Sequence, residues 1–540
     1  MASESADTTN RGIRQHIPLL AVLMLGLFLA ILNQTLLSVA MPHMMTDFGV
    51  GATTIQWLST GFMLVNGALI PLSAFLIERF GTRILFLVAM VFFTVGTFIC
   101  GIAPNFSVML IGRLIQAVGG GVMQPLVMTI IMFVFPPEMR GRGMGIFGLA
   151  MMFAPAIGPT LSGWVIENYT WRIMFYAMVP LGILIILISF FTLRNIVEPK
   201  KIKLDYLGAL LSLIGVASLL YGVSEAGTDG WTDSVVVTTI VIGLIGIVAF
   251  VVQQLTSKKP ILDFRVFKYD MFSLSNVINA IITVAMFAGI FLLPIYLQNL
   301  RGFTPLQAGL LMLPGALVMM VMSPVSGMLF DKVGPRPLAA VGLLVTILTT
   351  YEFTRLSIHT SYEHILGLYM IRSFGMSLLM MPIMTAGMNQ LPKHLNSHGT
   401  AMTNTLRQIS GALGTSLITT IYSNRTNFHY ANLADGMSTA DPTFMQSFQA
   451  FVHSMAGATH LPVEMAQQLS VFSLYSQILL KANVNGINDA FYWATGLCIV
   501  GLILSLFLRD VRKDKVRDKT AKRKRNVPML PSPSERPKEV

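Results

Sequence analysis

The chain of 540 residues has a mean hydropathy of +0.68 and 11% charged residues, against roughly 25% in a soluble protein. Such a composition excludes a water-soluble core and indicates an all-α polytopic membrane protein. Two cysteines exclude a disulfide framework or a cysteine metal site, and the net charge of +12 has to be located before it is given a partner.

In chain order, apolar runs of about 20 residues, enough to span a bilayer, fall near 17–41, 55–76, 84–103, 107–133, 142–165 and 171–193. They continue near 205–225, 234–255, 271–297, 307–330, 338–354, 363–389, 400–421 and 488–508, predicting fourteen spans. The predicted organisation is a cytoplasmic start (1–16), a six-helix bundle (17–193), and a basic connector with spans seven and eight (194–255). A second bundle (256–508) and a basic tail (509–540) follow. Within the second bundle, 422–487 is too long for a bare loop. Met465, Leu469, Phe472 and Leu479 recur there at helical spacing, which predicts an amphipathic helix from Pro462 to Asn483 on the outer surface.

The basic residues crowd one side of this topology, in the segments holding Arg79, Arg83, Arg140, Arg142, Lys200 and Lys332 and in the tail. The other side carries Arg172, Arg301, Arg355, Arg425 and Lys481. By the positive-inside rule both termini are cytoplasmic. The charge is then explained by the bilayer, with no nucleic-acid partner.

The segment after span two, Ser73-Ala74-Phe75-Leu76-Ile77-Glu78-Arg79-Phe80-Gly81-Thr82-Arg83, recurs after span ten. The second copy is Ser326-Gly327-Met328-Leu329-Phe330-Asp331-Lys332-Val333-Gly334-Pro335-Arg336. Acid, base, glycine and final arginine keep their offsets, so Glu78, Arg79, Gly81 and Arg83 correspond to Asp331, Lys332, Gly334 and Arg336. Glycine permits the tight turn, and an acid there can accept from a facing helix amino terminus or pair with a base such as Arg140 or Arg142. Two such copies predict two related halves that rock against each other, with spans seven and eight inserted between them.

Inside the spans, Arg113 lies roughly 12 Å deep at 1.5 Å per residue, level with Asn33 on span one. Gln116 is one turn along the same helix and Gln34 adjoins Asn33, so these residues are expected to line a central substrate cavity. Arg372 mirrors Arg113 in the second half. A charge at that depth usually marks a pathway. Arg407 is expected to snorkel from the inner end of span thirteen. Pro155 and Pro159 interrupt the ladder of span five beside Gly158 and Gly163, a small-residue seam suited to a pivot.

The repeated hairpin resembles the signature loop of the major facilitator superfamily. Ala154-Pro155-Ala156-Ile157-Gly158-Pro159-Thr160-Leu161-Ser162-Gly163 looks like the antiporter motif of its drug exporters. Leu32-Asn33-Gln34-Thr35-Leu36-Leu37 is similar to the first-span motif of the fourteen-span EmrB/QacA branch, and the LmrB-like lincosamide exporters look nearest. The resemblance implies two six-helix bundles plus two inserted helices, and export of small amphipathic compounds against protons. No cofactor or metal is implied. Relatives commonly carry an aspartate where this chain has Asn33, which cannot titrate. Thr82 replaces the usual base of the loop, which implies a weaker latch. Glu225 and Glu352, at the outer ends of spans seven and eleven, are the remaining candidates for proton coupling. A cavity with arginines and no midplane acid is expected to disfavour dications.

The alternatives are export of an endogenous lipid, fatty acid or metabolite, a non-transporting sensor, and a membrane enzyme. No Walker A loop is present for an ATP-driven pump, and the histidines show no metal spacing.

Overall fold

A computed structural model describes residues 17–257, 260–435, 437 and 442–509. The expected cytoplasmic start, Lys258, Lys259 and the tail from 510 lie outside the described residues. The first half holds α1 (Ile17–Phe48), α2 (Ala52–Leu69), α3 (Ser73–Ile102), α4 (Phe106–Val134), α5 (Arg140–Asn168) and α6 (Arg172–Thr192). A helical hairpin follows, α7 (Tyr206–Glu225) and α8 (Ser234–Thr256). The second half holds α9 (Asp270–Ile295), α10 (Pro305–Val333), α11 (Pro335–Glu352), α12 (Tyr362–Ser377) and α13 (Met380–Gln390). It ends with α14 (Asn396–Asp435), α15 (Pro442–Thr459) and α16 (Val463–Ser505).

Local chemistry explains many of the boundaries. Asn105, Asp205, Asp233, Thr304 and Ser361 each accept a hydrogen bond from a first-turn amide of the following helix, which satisfies donors the helix itself leaves unpaired. Gly81 (φ 74°) and Gly334 (φ 94°) take the left-handed backbone that other residues avoid. At each, one helix passes into the next with almost no loop.

The surface fits a lipid solvent. Along α8, Ile245, Val248 and Val252 point outward, with Ile245 64% exposed. Water would penalise that stripe, whereas hydrocarbon does not. One packed interior, around Phe86, Phe93 and Phe147 of the first half, continues to Met381 and Met402 of the second, which holds another around Tyr296, Phe353 and Phe491. The α7–α8 hairpin docks through Leu220 and Val223 against Ala412 of α14.

Among the described residues, twelve helices are by themselves long and apolar enough to cross a membrane, two fewer than the spans expected. α2 is short because the backbone breaks at 70–72, and α14 is polar, so neither meets that measure, while α3 runs continuously through the Gly81 bend. The expected separate helix from Pro462 to Asn483 is instead the leading part of α16, continuous with the last span. At 43 residues, α16 is about 64 Å long, about twice the hydrocarbon thickness. Met465, Leu469, Phe472 and Leu479 are exposed, whereas the smaller Ala466 and Ser470 are buried.

Candidate functional site

α4 carries Arg113 two turns in from its Asn105 cap, and the side chain is 1% exposed. Its Nη1 donates to Asn33 Oδ1 at 2.7 Å and to Gln116 Oε1 at 2.5 Å, and its Nε donates to the Leu58 carbonyl at 3.3 Å. The guanidinium lies 4.4 Å from the Phe62 ring centroid. Gln116 Nε2 donates onward to Thr97 Oγ1, and Asn33 Nδ2 points at Met178 Sδ. No described carboxylate pairs with Arg113. Dipoles and an aromatic face stabilise the cation instead, which leaves a net positive site in low dielectric.

A cavity of about 530 Å³ has Arg113 in its lining. Gln34, Gln56, Ser59 and Phe62 line it, together with Met41 and Met45 from the end of α1. Ser224 of α7 also lines it. Of the predicted cavity residues, Arg113 and Gln34 reach it, while Asn33 and Gln116 stand behind Arg113 as its acceptors.

Arg372 is buried elsewhere. It donates to Thr350 Oγ1 and the Ala285 carbonyl, and Gly289 is the residue that makes room for its guanidinium. The two arginines thus repeat by position but do not share the described cavity. Arg407 does not snorkel: its Nη2 donates to Gln124 Oε1 of α4 at 2.5 Å and to Asn404 Oδ1 at 3.0 Å. α14 is long and runs alongside α4, so position 407 faces protein, a tertiary fact with no local sequence signal. Glu225, at the end of α7, is partly buried one residue from the cavity wall. Glu352 pairs with Arg355 at 3.6 Å on an exposed edge.

At the end of the bundle that carries the hairpins, the two halves are tied together. Asp331 accepts from the amides of Gly141 (3.0 Å) and Arg142 (3.1 Å), the amino terminus of α5. Arg140 Nη1 donates to Asn389 Oδ1, the Thr129 and Thr400 hydroxyls meet at 2.6 Å, and Ser323 Oγ donates to the Gly145 carbonyl. Glu78 does not meet Arg140 or Arg142. Its carboxylate pairs with Lys200 at 3.4 Å and faces His398 at 3.6 Å, because the connector folds back over the first hairpin. Thr82 is an anchor in its own right, accepting from the Ile196 amide at 2.9 Å. Asn195 Oδ1 takes the Arg83 amide, and a Cβ at Gly81 would come within 2.8 Å of that oxygen. Arg83 donates to the Phe190 carbonyl, while Arg79, Lys332 and Arg336 are exposed.

The halves meet along α5 and α10. Gly141 faces Gly327, Gly145 faces Pro324, Gly148 faces Ser323 and Gly163 faces Leu306. On its other side Gly158 abuts Thr35 of α1, where a Cβ would sit 2.2 Å from Oγ1. Pro155 and Pro159 lie within α5, which remains one helix across both. Small residues let these backbones approach closely, as packing between helices in lipid requires.

The Major Facilitator Superfamily model matches residues 23–415. The chain belongs to that superfamily. Over 530 residues it is 68% identical to an uncharacterized MFS-type transporter YhcA of Bacillus subtilis, covering 98% of this chain and 99% of the relative. It is 35% identical over 516 residues to the lincomycin resistance protein LmrB of the same organism, covering 94% and 99%, which places it with the drug-efflux branch. The crystal structure of the human organic anion transporter MFSD10 superposes with a TM-score of 0.57 at 14% identity, over 90% of this chain and 99% of that one. This chain is a multi-pass membrane transporter of small molecules, not an enzyme.

Proposed function

We propose that the protein exports amphipathic compounds across the bacterial cytoplasmic membrane by alternating access, in exchange for protons. The observation that carries this reading is the pairing of a tied hairpin end with a cavity lined by Arg113 that lies away from it, between the later part of α1 and the earlier part of α2. In this reading the hairpin end and both termini are cytoplasmic, as the basic residues require. α2 with the start of α3, and α14, are also spans, giving fourteen. The halves are 17–193 and 256–508, with 194–255 inserted, and the α5–α10 seam is the pivot.

The electropositive cavity end favours neutral, zwitterionic or anionic amphiphiles over dications, because no carboxylate is present there to replace the water a dication loses. Purified protein in liposomes holding a pH-sensitive dye tests both parts, with lincomycin, oleate and the bis-quaternary decamethonium as probes. Movement of lincomycin or oleate with counter-flow of protons, lost with an uncoupler and in Arg113→Met, is the expected result. Fastest movement of decamethonium refutes the selectivity argument, and uptake unaffected by the uncoupler refutes the antiport.

A further inference from the structure

Between the tied hairpin end and the Arg113 cavity, α4 and α14 meet at a further polar contact. Moving away from the tie, the Thr129–Thr400 hydroxyl pair comes first and the Gln124–Arg407 pair next. Gln124 and Arg113 lie about three turns apart on α4, so they share a face of that helix, about 16 Å from each other along its axis. Between them, a Cβ at Gly120 would meet Asn66 Nδ2 at 3.2 Å and the Phe62 ring at 3.3 Å, and one at Gly67 would meet Gln408 of α14 at 3.4 Å. Polar side chains thus run from one arginine toward the other.

A guanidinium offers five N–H donors and two forked edges, Nε with Nη2 and Nη1 with Nη2. Both edges run through Nη2. In Arg407 the two N–H groups of Nη2 are taken, one by Gln124 Oε1 at 2.5 Å and one by Asn404 Oδ1 at 3.0 Å. Nε and Nη1 have no hydrogen-bond partner among the described residues, and they remain accessible on a half-buried side chain. No described carboxylate pairs with this cation either. A charge held inside the protein by two amide oxygens alone is a costly arrangement.

The two acceptors differ in what they move with. Asn404 rides on α14 beside Arg407, whereas Gln124 rides on α4 across the contact between the halves. Opening of the hairpin end separates Thr129 from Thr400 and carries Gln124 away with α4. One N–H of Nη2 is then released next to a free Nε or Nη1, which completes a fork matched to two oxygens of a carboxylate or sulfonate. A cationic head gains nothing at such a site. Closure brings Gln124 Oε1 back onto Nη2, breaks the fork and frees the head group toward Arg113.

We propose that Arg407 is a binding residue for the anionic head of an amphiphile, a carboxylate or sulfonate, masked by Gln124 while the hairpin end is tied and bared when it opens. It rests on the alternating-access reading, in that the hairpin end must be able to open. The head group loads at Arg407 from the hairpin side and leaves past Arg113, so two arginines serve the two ends of one passage.

Uptake of radiolabelled decanesulfonate into energised, everted membrane vesicles, which present the hairpin side to the medium, tests this against lincomycin, which bears no anionic group. Loss of hydrogen bonds to a charged head corresponds to roughly 10- to 100-fold in affinity. Arg407→Gln is expected to raise the KM for decanesulfonate relative to lincomycin by that factor, and Arg407→Lys, which keeps the charge without the fork, by less. Gln124→Leu removes the mask and should lower the relative KM, whereas Gln124→Glu masks with a charge and should raise it. Opposite shifts from one position are not what lost packing produces, so this pair decides if Arg407→Gln abolishes all uptake. An unchanged ratio in Arg407→Gln, or a shift of the same sign in both Gln124 variants, overturns the site. Wild-type vesicles that carry lincomycin and not decanesulfonate also overturn it and leave the export reading standing. Wild-type vesicles that move neither compound overturn export as well.

Discussion

Asp331→Asn tests the tie between the halves. In the wild type each carboxylate oxygen takes one amide of the α5 first turn, Gly141 at 3.0 Å and Arg142 at 3.1 Å. Asparagine keeps one acceptor and turns an NH2 toward the other amide, so one charge-assisted bond becomes a donor facing a donor. A hydrogen bond to a charged group contributes roughly 1.5–3 kcal/mol, and the charge at a helix amino terminus about 0.3–1 kcal/mol more. Partial solvent access at Arg142 reduces the sum, leaving about 2 kcal/mol, or about 30-fold in the opening equilibrium. Hydrogen–deuterium exchange over 140–145 reads this, because the Gly141 and Arg142 amides lose their carboxylate acceptor when the hairpin end opens. Exchange about 30-fold faster in Asp331→Asn is expected. Rates within about twofold of wild type would refute the idea that this carboxylate holds the halves together.

The remaining predictions concern backbone, seam and charge. Gly334→Ala at φ 94° and Gly81→Ala at φ 74° should each cost about 1–2 kcal/mol of backbone strain. Gly81→Ala should lower the melting temperature further than Gly334→Ala, since its Cβ also meets Asn195 Oδ1 at 2.8 Å; equal melting of both with wild type counts against the argument. Gly158→Ala should impair transport by driving α1 from α5, and Thr35→Ala in the same chain should restore much of it, because Thr35 Oγ1 is the atom a Cβ would strike at 2.2 Å. Asn33→Asp places a carboxylate where Arg113 Nη1 now meets an amide oxygen at 2.7 Å. It should raise decamethonium transport several-fold relative to oleate, and an unchanged ratio in the liposome assay would show that cavity charge does not select.

Much of this was readable before any coordinates. The depth of Arg113 and Asn33 followed from counting 1.5 Å per residue from two span ends, and the pair does meet. Gly81 and Gly334 were legible as left-handed turns because few other residues tolerate that backbone. The partners of the acids were not: Glu78 and Asp331 have equivalent local sequences, yet one meets a lysine and a histidine and the other two amides. Arg407 was misjudged because snorkelling depends on which helix lies opposite, and the Gln124 that receives it is 283 residues away.

By itself the sequence determined that the chain lives in lipid, is internally repeated, and turns on glycine at two equivalent places. Those properties are local or periodic, set by transfer energy and by which φ a residue can hold. Only the tertiary structure decided that the cavity lies against α7, that Arg372 stands apart from it, and that His398 faces Glu78. Such pairings depend on how helices distant in sequence come to lie against each other, and no periodicity in the chain encodes that.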